Sequence, residues 1–110
     1  MPACLVHCSC PDGDSADRIA EALVAERLAA CVSRLPGVRS TYRWEGAVER
    51  ADEVLLLIKT TAARLDALVA RIQALHPYEL PEVIAVEATG GSAAYLAWVA
   101  DATRPGAPSE

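Results

Sequence analysis

The chain has 110 residues, enough for one compact domain and too few for two. Apolar residues make up 53% of it, which supplies a core and excludes disorder, and a net charge of −5 with no Lys/Arg cluster argues against nucleic-acid and anionic-membrane partners. No apolar run approaches a membrane span, and no basic stretch leads into an apolar one at the N-terminus, so a cytoplasmic protein is expected.

Ala3–Cys10 predicts a short first strand, closed by the turn Pro11-Asp12-Gly13. Along such a strand Cys4, Cys8 and Cys10 face one side. Neighbours on one strand have poor disulfide geometry, so these three and Cys31 are expected as reduced thiols. Asp14 or Ser15 is expected to cap a helix over 15–28, whose apolar face is Ile19, Leu23 and Leu28. Residues 32–44 read as a second strand, with Pro36-Gly37 as a bulge or bend. Beyond that point Val38, Ser40, Tyr42 and Trp44 share one side, while Arg39, Thr41 and Arg43 share the other.

Glu45-Gly46 signals a turn, and the polar stretch 47–53 extends a hairpin arm. Residues 54–58 are uninterrupted apolar sequence, expected to be buried on both faces, with Lys59 at an edge or mouth. Thr60 or Thr61 is the expected cap of a second helix, in which Leu65, Leu68, Val69, Ile72 and Leu75 hold helical spacing. Pro77 and Pro81 then stiffen a crossover, 75–82, that presents His76, Tyr78 and Glu79. Residues 83–88 predict the fourth strand. Ser92 opens a third helix through about Thr103. Positions 1–104 therefore read as one domain, and 105–110, with two prolines and a glycine, as a fraying tail.

This order is the α+β, ferredoxin-like split βαβ: a four-stranded antiparallel sheet with two helices on one side, plus a C-terminal helix. The sheet's other side then needs cover that the last helix is too small to give. A continuous second strand would run about 43 Å, well beyond a domain of roughly 13 Å radius of gyration. An overhanging arm with Tyr42 and Trp44 calls for pairing with another copy.

The segments Arg27-Leu28-Ala29-Ala30-Cys31-Val32, Pro36-Gly37, Tyr42-Arg43-Trp44-Glu45-Gly46, Lys59-Thr60-Thr61, His76-Pro77-Tyr78-Glu79-Leu80-Pro81-Glu82 and Tyr95-Leu96-Ala97-Trp98 follow one another in an order and spacing that resembles the divalent-cation-tolerance (CutA) family. The resemblance implies a homotrimer, related in architecture to PII-type signalling proteins, with Tyr42, Trp44, Pro77 and Trp98 between subunits. It implies association with copper or another divalent metal ion, no required cofactor and no enzymatic reaction. The metal ligands it implies are Cys8, Cys31 and His76. Leu75 stands where some relatives carry a further histidine, and Cys10 and His7 are local substitutes.

Thiolate with imidazole is a soft set suited to Cu(I) or Zn(II), although the four tightly spaced ligands of a structural zinc site are missing. The alternative function is a PII-like module binding a small anionic ligand in clefts between copies. Arg43, Lys59 and His76 would hold the anion, walled by Trp44 and Tyr78 and flanked by Glu45 and Glu79. An enzyme using Cys31 as nucleophile and His76 as base is a third class, with no visible activation of the thiol.

Overall fold

The computed structural model describes residues 2–106, so positions 107–110 of the expected tail lie outside it. The order is β1 (Ala3–Cys10), α1 (Gly13–Ala25), β2 (Cys31–Trp44), β3 (Ala47–Thr61), α2 (Leu65–Leu75), β4 (Ile84–Glu87) and α3 (Ala93–Ala102), with one turn of 3₁₀ helix over Ala62–Arg64. The strands form a single sheet in the order β2-β3-β1-β4, every neighbouring pair antiparallel. This is the expected ferredoxin-like arrangement.

Strand alternation decides what is core. Val6, Cys8 and Cys10 lie opposite Ile58, Leu56 and Val54 on the helix-bearing face. They pack with Ile19 and Leu23 of α1 and Leu68 and Ile72 of α2. Leu56 and Ile58 are fully buried there, whereas Leu55 and Leu57 are only half-buried on the far face. The expected burial of 54–58 on both sides is therefore corrected for the single chain. On the same far face Leu35, Ile84 and Val86 remain 39, 58 and 54% exposed.

Local chemistry moved several boundaries. Asp12, ahead of both expected caps, is the N-cap of α1, accepting from the Ser15 amide at 2.8 Å. α1 ends before residue 28 because Arg27 turns to φ 59° and the Leu28 amide donates back to the Leu23 carbonyl, a Schellman-type closure. Thr60 and Thr61 belong to β3; Thr61 precedes the 3₁₀ turn as its N-cap residue but makes no side-chain capping bond, and neither caps α2. Instead the buried Thr60 hydroxyl donates to the Leu28 carbonyl at 2.6 Å and ties the end of α1 to the sheet.

The β2–β3 hairpin closes on Glu45 and Gly46, both at positive φ (49° and 81°), the type I′ geometry that matches strand twist. Pro36 and Gly37 form a bulge: Leu35 lies opposite Leu55 and Val38 opposite Glu53, so β2 carries one extra residue, with Gly37 at φ 78°. Beyond it the two strands run on alone, giving a molecule 45 Å long and 23 Å at its thinnest.

Thr60→Val should lower stability by about 1–3 kcal/mol, because it leaves the buried Leu28 carbonyl without its donor. Ile58→Ala should cost about 2–5 kcal/mol by opening a core cavity. Val48→Ala, on the exposed arm, should change it by less than about 0.5 kcal/mol. Urea midpoints at one fixed protein concentration check all three.

Candidate functional site

Three ligand-type side chains meet where β1 ends and α2 gives way to the crossover. Cys8 and Cys10, two apart on β1, point to the helix-bearing face, and both are fully buried. His76 is the C-cap residue of α2, where Pro77 stops the helix and the backbone turns extended at ψ 138°. That turn drops the imidazole onto β1. Among the described residues, the donor atoms of Cys8, Cys10 and His76 all lie within 4.8 Å of one another.

Hydrogen bonds define the imidazole. Its Nδ1 accepts from the Tyr78 amide at 3.1 Å, which requires that nitrogen to be unprotonated. Nε2 therefore carries the proton and donates to the Ser9 carbonyl at 2.7 Å. The ring also lies 4.8 Å from that of Tyr78, tilted by 46°. A neutral imidazole thus bridges β1 and the crossover with both nitrogens engaged.

The two thiols are unequal. The hydrogen bond to Cys10, burial, and the nearby carboxylates of Glu82 and Glu53 push the Cys8 thiol far up. The same bond pulls the Cys10 thiol down, against burial and the charges of Asp12 and Glu53. Cys10 is the sulfur of the pair that gives up its proton more readily. Two thiols and an imidazole so close together fit a soft metal ion.

Cys31, the third ligand implied by resemblance, is not brought to this cluster. It pairs with Lys59, four residues along β3 from Leu55, the partner of Ser9, and faces the side of the sheet away from Cys8 and Cys10. That separation is about 13 Å along the strand. Cys31 instead meets Tyr95 of α3, whose hydroxyl is pushed up by burial and by that thiol. Cys10, named from sequence only as a local substitute, stands in its place. His7, the other substitute, is on the far face between Leu57 and Ile84. Cys31 and His76 are likewise too far apart to act as nucleophile and base.

The opposite side of the crossover borders a cleft of about 520 Å³. Four of the residues assigned to a ligand site line it: Arg43, Trp44, Tyr78 and Glu79. Glu45 sits in the hairpin turn outside it, and Lys59 is remote, donating to Ser33 at 2.7 Å. Sequence reasoning missed Glu53, Glu82 and Ser9. The Tyr78 hydroxyl donates to Glu53 at 2.8 Å, and Ser9 donates to Glu82 at 2.6 Å. Burial, then the bond to Glu53, raises the Tyr78 hydroxyl above its ordinary range. The available signal was Glu53 itself, a charge on the face otherwise given to Leu55 and Leu57. Of the expected subunit contacts, Tyr42, Trp44, Pro77 and Trp98 are all exposed on the single chain.

Comparisons with known proteins agree with this geometry. The family model described as CutA1 divalent ion tolerance protein matches residues 4–102. A divalent-cation tolerance protein CutA of Pectobacterium atrosepticum is 42% identical over 97 residues, 88% of each chain. A chloroplastic CutA of Arabidopsis thaliana is 42% identical over 104 residues, 94% of this chain, which spans only 57% of that relative's length. The crystal structure of CutA from Xylella fastidiosa superposes with a TM-score of 0.88 at 50% identity, covering 90% of this chain and 95% of that one. With a matched fold, a family model spanning nearly every described element and close relatives across the same residues, this chain belongs to the CutA divalent-cation tolerance family.

Proposed function

We propose that this protein is a homotrimeric, non-catalytic cation-tolerance protein of a reducing cytoplasm that takes up copper, or an ion of similar softness, weakly through Cys8, Cys10 and His76. The observation that carries the metal reading is the convergence of those three donor atoms within 4.8 Å. All four cysteines are free thiols, as soft-metal capture requires. Two features make the binding modest. A ligating His76 nitrogen must first leave the Ser9 carbonyl or the Tyr78 amide, and the Cys8 thiol resists losing its proton. When bound, the ion would supply a thiolate-stabilised charge in place of the two thiol protons.

Self-association is supported by the half-bare sheet face and the projecting arm. Leu35, Ile84 and Val86 expose apolar surface on one plane, and Tyr42 and Trp44 continue it along the arm. The number of copies, three, rests on family resemblance. The alternative, an anionic ligand held PII-fashion in the cleft, is less well supported. The lining has Glu53, Glu79 and Glu82 against the single Arg43, the opposite charge balance from the one an anion requires.

Titration of the reduced, metal-free protein with Cu(I) against a chromophoric competitor should show one ion per chain. Cys8→Ser, Cys10→Ser and His76→Ala should each weaken it by at least about tenfold, while Cys31→Ser should leave it unchanged. Unaltered affinity in Cys10→Ser and His76→Ala, or a loss confined to Cys31→Ser, would remove this ligand set. Uptake should release protons and weaken as pH falls, because the thiols must ionise to bind.

Sedimentation at micromolar concentration should give a particle of three chain masses, and Val86→Glu should shift it towards smaller species. A folded wild-type monomer under those conditions would contradict the assembly.

A further inference from the structure

The cleft beside the crossover has a chemistry that the metal reading does not use. The hairpin arm contributes Tyr42, Trp44 and Glu53, and the crossover contributes Tyr78 and Glu82. Its volume, about 520 Å³, is that of a small-molecule site. Aromatic faces beside carboxylates form the environment in which an organic cation is held by charge and by ring quadrupoles together.

Glu53 makes the case specific. The residue is only 9% exposed, which is costly for a carboxylate without a cation. Oε2 accepts the Tyr78 hydroxyl, and Oε1 has no donor among the described residues. No fully buried side-chain oxygen among those residues lacks a partner, so Oε1 opens onto the cleft that Glu53 lines. Glu82, an exposed residue, accepts Ser9 on one oxygen, and its other oxygen has no donor among the described residues. Neither carboxylate, nor that of Glu79, forms an ion pair among the described residues.

We propose that this cleft, on the arm argued above to meet another copy and therefore bordered by a neighbour in the assembly, binds a small organic cation, an ammonium or guanidinium group on a short apolar stem, with its charge at Glu53 and Glu82 and its stem against Tyr42, Trp44 and Tyr78. A bare inorganic ion leaves the aromatic walls unused, and an anion meets three carboxylates against the one guanidinium of Arg43. The cleft lies across the crossover from the thiol cluster, near enough for Glu53 and Glu82 to act on its thiols.

The test is calorimetric titration of the full chain in its native assembly, stripped of metal, with agmatine, spermidine and choline as probes and with ADP and inorganic phosphate as counter-probes. Saturable binding of at least one cationic probe is expected, with no saturable heat from either anion. Glu53→Gln should weaken the cation by about tenfold or more, the size of a lost partly buried charge partner. Cys31→Ser, on a residue remote from the cleft, should leave it unchanged. Should Glu53→Gln fail to fold, Glu82→Gln carries the same expectation. The proposal is overturned if no cationic probe saturates up to about 10 mM, if ADP or phosphate binds more tightly, or if both glutamine variants bind like wild type. It is equally overturned if the probes do not bind and Glu53→Gln reduces the particle mass, since the cleft then holds a basic side chain of a neighbouring copy.

Discussion

One buried imidazole joins the parts of this molecule that carry its chemistry. His76 donates to the Ser9 carbonyl of β1 and accepts from the Tyr78 amide of the crossover. Through those two bonds the end of α2, the edge of β1 and the start of the crossover hold one geometry. The thiols of Cys8 and Cys10 lie to one side of this joint, and the ring of Tyr78 and the carboxylates of Glu53 and Glu82 lie to the other. Pro77 makes the joint possible: it ends α2 at the residue whose side chain is needed and sets the extended backbone that brings Tyr78 back over the ring.

The remaining architecture follows from a sheet that is covered on one side. α1 and α2 bury the face of Val6, Cys8, Leu56 and Ile58, so the core is complete there without a partner. The other face has the same aliphatic character but only α3 near one end, where Tyr95 reaches Cys31. A fold that spends its branched residues on both faces while supplying helices for one leaves the other face to be covered. The projecting hairpin extends that unfinished surface away from the body, and aggregation is the hazard that a specific partner removes.

Much of this was readable from residue pattern. β1, the long second strand, the amphipathic α2 and the crossover follow from alternation, helical spacing and two prolines, and the sheet order follows from their sequence. What was not readable was mostly a question of which partner a polar side chain finds. Thr60 has the composition of a helix cap, but its hydroxyl is taken by the Leu28 carbonyl, 32 positions away. Asp12 precedes the expected caps because the Pro-Asp-Gly turn runs straight into α1. Cys31 falls outside the thiol–imidazole cluster for a similar reason. Cys8 and Cys31 lie on the two strands that flank α1 in sequence, but β3 runs between those strands, and strand parity sends Cys31 to the far face while leaving Cys10 beside Cys8. Glu53 stood out in sequence only as a charge on a leucine face; its partner, Tyr78, is supplied by the folded hairpin.

The bulge at Pro36-Gly37 sets the phase of everything beyond it. Before it, the odd-numbered residues Ser33 and Leu35 lie across from Leu57 and Leu55; after it, the even-numbered Val38, Ser40, Tyr42 and Trp44 lie across from Glu53, Ala51, Glu49 and Ala47. Were Pro36 and Gly37 both paired regularly, with no bulge, Arg39, Thr41 and Arg43 would fall on the leucine plane and both aromatic rings would turn to its reverse. A single glycine at positive φ thus acts as a parity bit. It determines whether the outstretched hairpin shows its neighbours a greasy stripe or a row of cations.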